Sequence, residues 1–234
     1  MDIDARLPSI GKQGHTWAVV TTERPVQIAA QGVVLDGDLV VPEDPRGVVL
    51  FAHGSGSSRH SPRNRQVAAA LQKARYATFL MDLLTSGEEE IDSRTRELRF
   101  DIPRLATRLT SATDWLTDQP DTAGLPLAAF GASTGAAAAL ITAADRPERV
   151  RLVISRGGRP DLADEALPRV RAPTLMIIGG HDREVHQLNL EAAGRMTAPV
   201  EIEVVPGATH LFEEPGKLDA VIDIAVAALD RHLS

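Results

Sequence analysis

Residues 127–140 read LAAFGASTGAAAAL: a short apolar run, a Gly-x-Ser-x-Gly turn, and an alanine-rich stretch of high helix propensity. Gly131, Ala132 and Gly135 are small enough to let a strand and a helix approach closely around Ser133. Such a turn holds its serine in a sparsely populated backbone conformation at the C-terminal end of a strand. A helix beginning at Thr134 turns backbone N–H groups and the positive end of its dipole toward the same place. The stretch therefore predicts a buried strand, a crossover helix, and an exposed hydroxyl between them. Read alone, it is equally a plain Gly/Ser turn, so the rest of the chain has to decide.

Outward from this turn, short Val/Ile/Leu-rich runs alternate with longer stretches of helical period. Strands are expected at 47–53, 77–83, 127–131, 151–155, 174–179 and 200–205, and helices at 64–75, 102–118, 134–144, 186–196 and 217–233. Alternation of this kind predicts an α/β fold, a mostly parallel sheet with helices on both faces. Ahead of it, VQIAAQGVVLDGDLVVP carries Asp36-Gly37 between apolar runs, which predicts an antiparallel hairpin turning there. The polar segment 85–99 is expected to be a surface loop or short helix, too short to form a large lid. With no low-complexity linker in 234 residues, a single domain over 1–234 is expected.

Composition narrows the function classes. A net charge of −7 disfavours binding to nucleic-acid backbones. Without cysteine there is no catalytic thiol or thiolate metal site, so a nucleophile must be oxygen or nitrogen. No metal and no organic cofactor is expected. The opening MDIDARLPSIGKQGHTW lacks a basic start followed by an apolar run, and nowhere do about 18 uncharged apolar residues follow one another. A cytoplasmic protein without membrane contact is expected; the sequence leaves the oligomeric state open.

Three further segments end predicted strands. His53-Gly54-Ser55-Gly56-Ser57-Ser58 can present the Ser55 N–H, paired with that of Thr134, to a developing oxyanion. The loop lacks the lysine of a phosphate-binding loop and the third glycine of a dinucleotide fingerprint. Gly179-Gly180-His181-Asp182 supplies a carboxylate, and Pro206-Gly207-Ala208-Thr209-His210 an imidazole. Aspartates after strands are usually caps and loop histidines usually solvated, but Ser133, Asp182 and His210 share one sheet edge in a fixed order. A serine hydroxyl needs a base, and the base needs a partner to fix its tautomer, so His210 and Asp182 take those roles. His181 and His186 compete with His210 for the base, Asp161 and Asp164 compete with Asp182 for the acid, and His53 is expected to hold its loop. Arg59, Arg63 and Arg156, with His60 and Arg65 nearby, are candidates to bind a substrate carboxylate or phosphate, unless they pair with surface acids such as Glu88-Glu89-Glu90.

At these residues, from about residue 25 onward, the sequence resembles the α/β-hydrolase superfamily and, within it, the dienelactone hydrolase-like family. The stretches HGSGSSRHSPRNRQVA, MDLLTSGEEE and RELRFDIPRLATRL are similar to the hydrolase half of bacterial phosphoribosyltransferase/dienelactone hydrolase fusions. The resemblance implies a serine hydrolase acting through an acyl-enzyme on small to medium esters or lactones. Dienelactone hydrolases proper use a cysteine where this chain has Ser133, so dienelactone itself does not carry over. Acyl transfer or peptidase chemistry on the same residues is the alternative, as is a ligand-binding protein that has lost turnover.

Overall fold

The structure is a computed structural model and describes residues 21–233; the opening stretch read above for a targeting signal lies outside them. Eight strands form one sheet in the order β1-β2-β4-β3-β5-β6-β7-β8. They are β1 (Thr21–Ala30), β2 (Val33–Pro42), β3 (Gly47–Ala52), β4 (Tyr76–Met81), β5 (Leu127–Ala132), β6 (Val150–Arg156), β7 (Thr174–Gly179) and β8 (Val200–Val205). The pairs β1·β2 and β2·β4 are antiparallel, and every later pair is parallel. The helices are α1 (Pro62–Lys73), α2 (Ser86–Thr95), α3 (Ile102–Asp118), α4 (Thr134–Asp145), α5 (Arg183–Ala193) and α6 (Lys217–His232).

The period-two alternation of the strands divides the core into two layers. Val48, Leu50 and Ala52 of β3 join the side chains of α3 and α4 on one face. Val49 and Phe51 join those of α1 and α6 on the other. Helix α4 is buried almost throughout, and Ala136, Ala137, Ala138 and Ala139 have no exposed surface. The run of four alanines lets this helix lie close against the sheet, and a larger side chain at those positions would overpack the layer at about 1–3 kcal/mol.

The hairpin forms, but not around Asp36-Gly37. Its turn is Gln31-Gly32, with φ of 50° and 76°, the two positive values that a two-residue hairpin matching strand twist requires. Asp36 and Gly37 sit in mid-strand, opposite Gln27 and Val26. The Phe79 ring covers Gly37 so closely that a Cβ there would stand 2.3 Å from it. The glycine thus serves a close approach between β2 and β4 rather than a turn.

Segment 85–99 folds into α2 and the start of a short 3-10 turn. Thr85 and Glu88 form a reciprocal cap: Thr85 Oγ1 accepts from the Glu88 N–H at 3.2 Å, and Glu88 Oε2 accepts from the Thr85 N–H at 2.8 Å. The Glu88 carboxylate also receives both ends of the buried Arg108 guanidinium, each at 2.7 Å. This ties α2 to α3. Arg108 donates in addition to the Leu83 carbonyl at 2.7 Å, fixing the loop after β4. Among the described residues, no helix is long and apolar enough to cross a membrane.

Candidate active site

All the loops that follow parallel strands open on one edge of the sheet, and the site is assembled there. Ser133 directly follows β5, with φ 51° and ψ −123°, a conformation costing an L-residue on the order of 1–3 kcal/mol. The surrounding packing enforces it. Gly135 crosses so near to β3 that a Cβ would fall 2.2 Å from the Ala52 carbonyl, and the Ser133 carbonyl accepts from the Arg159 and Ala136 N–H groups at 3.0 and 3.1 Å.

His53 is buried and bonded through both ring nitrogens: Nδ1–H donates to the Gly54 carbonyl at 3.0 Å, and Nε2 accepts the Leu83 N–H at 3.1 Å. Burial, the largest influence, holds its pKa below the ordinary imidazole value. A neutral ring with both nitrogens engaged fixes the loop rather than exchanging protons. That loop runs against the nucleophile, since a Cβ on Gly54 would stand 3.0 Å from Ser133 Cβ. Neither the Ser55 nor the Thr134 N–H has a hydrogen-bond partner among the described residues; Ser55 lines the cavity that holds Ser133, whereas Thr134 is buried and does not line it.

Asp182 stands at the N-cap position of α5 without a capping hydrogen bond from its side chain, and its Oδ2 lies 2.6 Å from Nδ1 of His210. The two loops that carry them are laced together by Gly180 N–H to Val205 O and His181 N–H to Ala208 O, both 2.9 Å. The His210 loop is closed in turn by Glu214, whose carboxylate accepts the Thr209 N–H at 3.1 Å; the Thr209 side chain, the largest influence, keeps the Glu214 pKa below the usual value. Ser133 and His210 line the same cavity of about 270 Å³, and no hydrogen bond joins them directly. His186 is bonded through its N–H into the first turn of α5. Asp161 pairs with Arg159 at 2.7 Å and Asp164 with Arg195 at 2.8 Å, so both competing acids are engaged elsewhere.

The three arginines part company. Arg59 does not line the cavity: its guanidinium pairs with Asp82 and lies 3.7 Å from Asp38, and its N–H also reaches Asp82. Arg63 lines the cavity and pairs with Glu213 at 2.9 Å. Arg156 lines it too, 7% exposed, with no hydrogen bond or ion pair to its side chain among the described residues. Sequence reading missed Asn64, which is buried beside them. The signal was present: Ser61-Pro62 is a cap followed by a first-turn proline, and α1 starts at Pro62, not at 64, with Ser61 accepting from the Asn64 N–H at 3.4 Å.

Comparison with known proteins bears on the fold and the family. Residues 43–158 match the family model described as serine aminopeptidase, S33. A putative phosphoribosyl transferase of Mycobacterium tuberculosis is 56% identical over 208 residues, covering 89% of this chain. That match covers only 46% of the relative, so the chain spans about half the length of the curated relatives it matches. The crystal structure of a dienelactone hydrolase from Anabaena variabilis is 55% identical, covers 92% of this chain and 99% of its own, and superposes with a TM-score of 0.89. A dienelactone hydrolase-like promiscuous phosphotriesterase from metagenomic libraries shares the fold at 18% identity and a TM-score of 0.75, covering 92% of this chain and 99% of its own. By its sheet, its strand-end loops and its full-length similarity to the Anabaena enzyme, the chain belongs to the dienelactone hydrolase-like family of α/β-hydrolases.

Proposed function

We propose that this protein is a cytoplasmic, single-domain serine hydrolase that cleaves carboxylic esters or lactones of small to medium size through an acyl-enzyme. The observation that carries the reading is the pairing of a strained, unattached Ser133 hydroxyl with an Asp182-held His210 at one cavity. With the Nδ1 proton donated to Asp182, Nε2 of His210 is free to accept the serine proton. Ser133 Oγ attacks the carbonyl carbon, and the Ser55 and Thr134 N–H groups receive the oxyanion. Collapse breaks the bond to the leaving alcohol, which takes its proton from His210. Water, deprotonated by the same imidazole, then releases the acid and restores Ser133.

The test is turnover of p-nitrophenyl esters of increasing acyl length and of a lactone by wild type and Ser133→Ala. The folded variant should lose roughly 10⁴-fold or more in kcat. Retention of more than a few per cent of activity would remove Ser133 from the mechanism. The match to a serine aminopeptidase model favours peptidase chemistry as the second reading. Faster release of amines from aminoacyl p-nitroanilides than of alcohols from matched esters would establish it.

A further inference from the structure

We propose that the tetrapeptide Arg156-Gly157-Gly158-Arg159, at the end of β6, is a clamp that sets Ser133 and His210 in register for proton transfer, with Gly157 as the residue that positions the imidazole. This deepens the reading above and rests on it for the transfer itself, in which the Oγ proton of Ser133 passes to Nε2 of His210.

The two side chains share a cavity without a hydrogen bond between them, so the backbone around them sets their separation. The tetrapeptide touches both. On the side of the nucleophile, the Arg156 carbonyl accepts the Ser133 N–H at 3.3 Å, and the Arg159 N–H donates to the Ser133 carbonyl at 3.0 Å. One loop thus holds both backbone groups of the strained residue and helps to enforce its φ of 51°. On the side of the base, Gly157 has φ 51° itself, and a Cβ there would stand 2.9 Å from the His210 carbonyl oxygen and 3.6 Å from Cε1, the carbon between the two ring nitrogens. The missing side chain is what lets the imidazole approach the loop.

Further contacts stiffen the clamp. The Gly157 N–H donates to the Ile177 carbonyl at 2.8 Å, which anchors the loop to β7. Gly158 has no room for a side chain, since a Cβ would stand 2.6 Å from that of Ala136 in α4, and its carbonyl accepts from Nδ2 of Asn189 at 3.0 Å. Asn189 is wholly buried on α5, the helix that follows Asp182, and its Nδ2 also donates to the Val185 carbonyl at 2.7 Å. The loop therefore meets the nucleophile at Ser133 itself, the base through Gly157, and the helix of the acid through Asn189. Phe212, two residues after the base, encloses the same place: it is buried, its ring lies 3.4 Å from the Cβ position on Gly157, and its φ of 56° is one a bulky residue adopts only where packing compels it. A misplacement of about 1 Å costs on the order of 100-fold in rate, so a loop that fixes both groups governs kcat rather than binding.

The experiment uses the full chain and a control for strain. Gly157→Ala is compared with Gly124→Ala, an exposed glycine with φ 80° and open space where a Cβ would point, so both variants carry a left-handed alanine and only one meets His210. Each should lower Tm by about 2–8 °C. Gly124→Ala should match wild type in kinetics, whereas Gly157→Ala should lose about 100-fold in kcat with KM within about threefold. Its rate constant for fluorophosphonate labelling should fall as far, while the final stoichiometry stays at one per chain. A merely structural role would lower the stoichiometry and leave the rate constant alone. A readout independent of turnover is the low-field NMR resonance of the His210 Nδ1 proton, expected from the 2.6 Å bond to Asp182; it should be seen in wild type and Gly124→Ala and shift or vanish in Gly157→Ala. Asn189→Leu keeps the branched shape, removes the donor to the Gly158 carbonyl, and should slow labelling about tenfold and move the same resonance; it carries the test if Gly157→Ala does not fold. The resonance pattern in a protein that cleaves no ester would keep the clamp and remove the hydrolase reading. If Gly157→Ala and Asn189→Leu match Gly124→Ala in labelling rate constant and in this resonance, the proposal is overturned.

Discussion

Among the described residues two arginines are buried, and they are treated in opposite ways. Arg108, 1% exposed, donates to both oxygens of Glu88 and to the Leu83 carbonyl, leaving only its Nε without a partner. Arg156, 7% exposed, has no side-chain partner among the described residues. The first lies where α2, α3 and the loop after β4 must be held together; the second lies on the strand-end edge beside Ser133. In the helix layer the Arg108 guanidinium is satisfied by the protein save for its Nε, whereas at the strand-end edge the Arg156 guanidinium is not. The free Ser55 and Thr134 N–H groups and the unpartnered Asn64 Oδ1 belong to the same pattern. Strain and unpaired charge at one edge are tolerable because the rest of the fold is tightly cross-linked.

Mutations should divide along that line, function at one region and stability at the other. The largest effect belongs to Asp182→Asn, expected to lower kcat about 10⁴-fold with little change in substrate affinity, because the wrong imidazole tautomer is favoured. Asp161→Asn and Asp164→Asn, measured beside it, should stay within about threefold. A collapse in either of those, with Asp182→Asn near wild type, would move the acid to the earlier strand. Next comes Glu88→Gln, which strands Arg108 and should cost about 3–5 kcal/mol in denaturant unfolding.

That pair also sets an acid dependence. The Arg108 hydrogen bond, the largest influence, lowers the Glu88 pKa from 4.5 to about 2. A depressed carboxylate contributes stability that is complete above its unfolded value and lost as pH falls toward its folded one. The contribution should therefore fade between about pH 4.5 and 2 in wild type and be missing from the pH dependence of Glu88→Gln. Arg156→Met should act in the other direction, leaving stability unchanged or raising it by about 1–2 kcal/mol, since it removes a buried charge with no partner to strand. A large destabilisation would make Arg156 a structural residue like Arg108. Smallest is Thr85→Ala, which opens the α2 cap for about 1 kcal/mol, roughly 2–4 °C in Tm, without altering kinetics.

The fold was legible in the sequence wherever a signal is local. The apolar runs located β3 to β8, the helical periods located the crossover helices, and the small residues flanking Ser133 marked the β5–α4 turn. Asp36-Gly37 misled because a glycine needed for a close approach to Phe79 mimics a turn glycine, and the two differ only through a neighbouring strand. For the site, chain order was enough to bring Ser133, Asp182 and His210 to one edge, and the structure sets Asp182 against His210 there. The arginines were not separable. Whether Arg59 meets Asp82, 23 residues away, or Arg156 finds no hydrogen-bond partner among the described residues depends on side-chain packing between distant loops, which no local pattern encodes.

The central claim is that Ser133 is an activated nucleophile, and covalent labelling tests it most directly. Wild-type protein treated with a fluorophosphonate and digested should carry one phosphonyl adduct, on the peptide containing Ser133. Ser133→Ala should carry none, and Asp182→Asn should label far more slowly than wild type. No adduct on folded wild-type protein, or an adduct that persists in Ser133→Ala, would contradict the account.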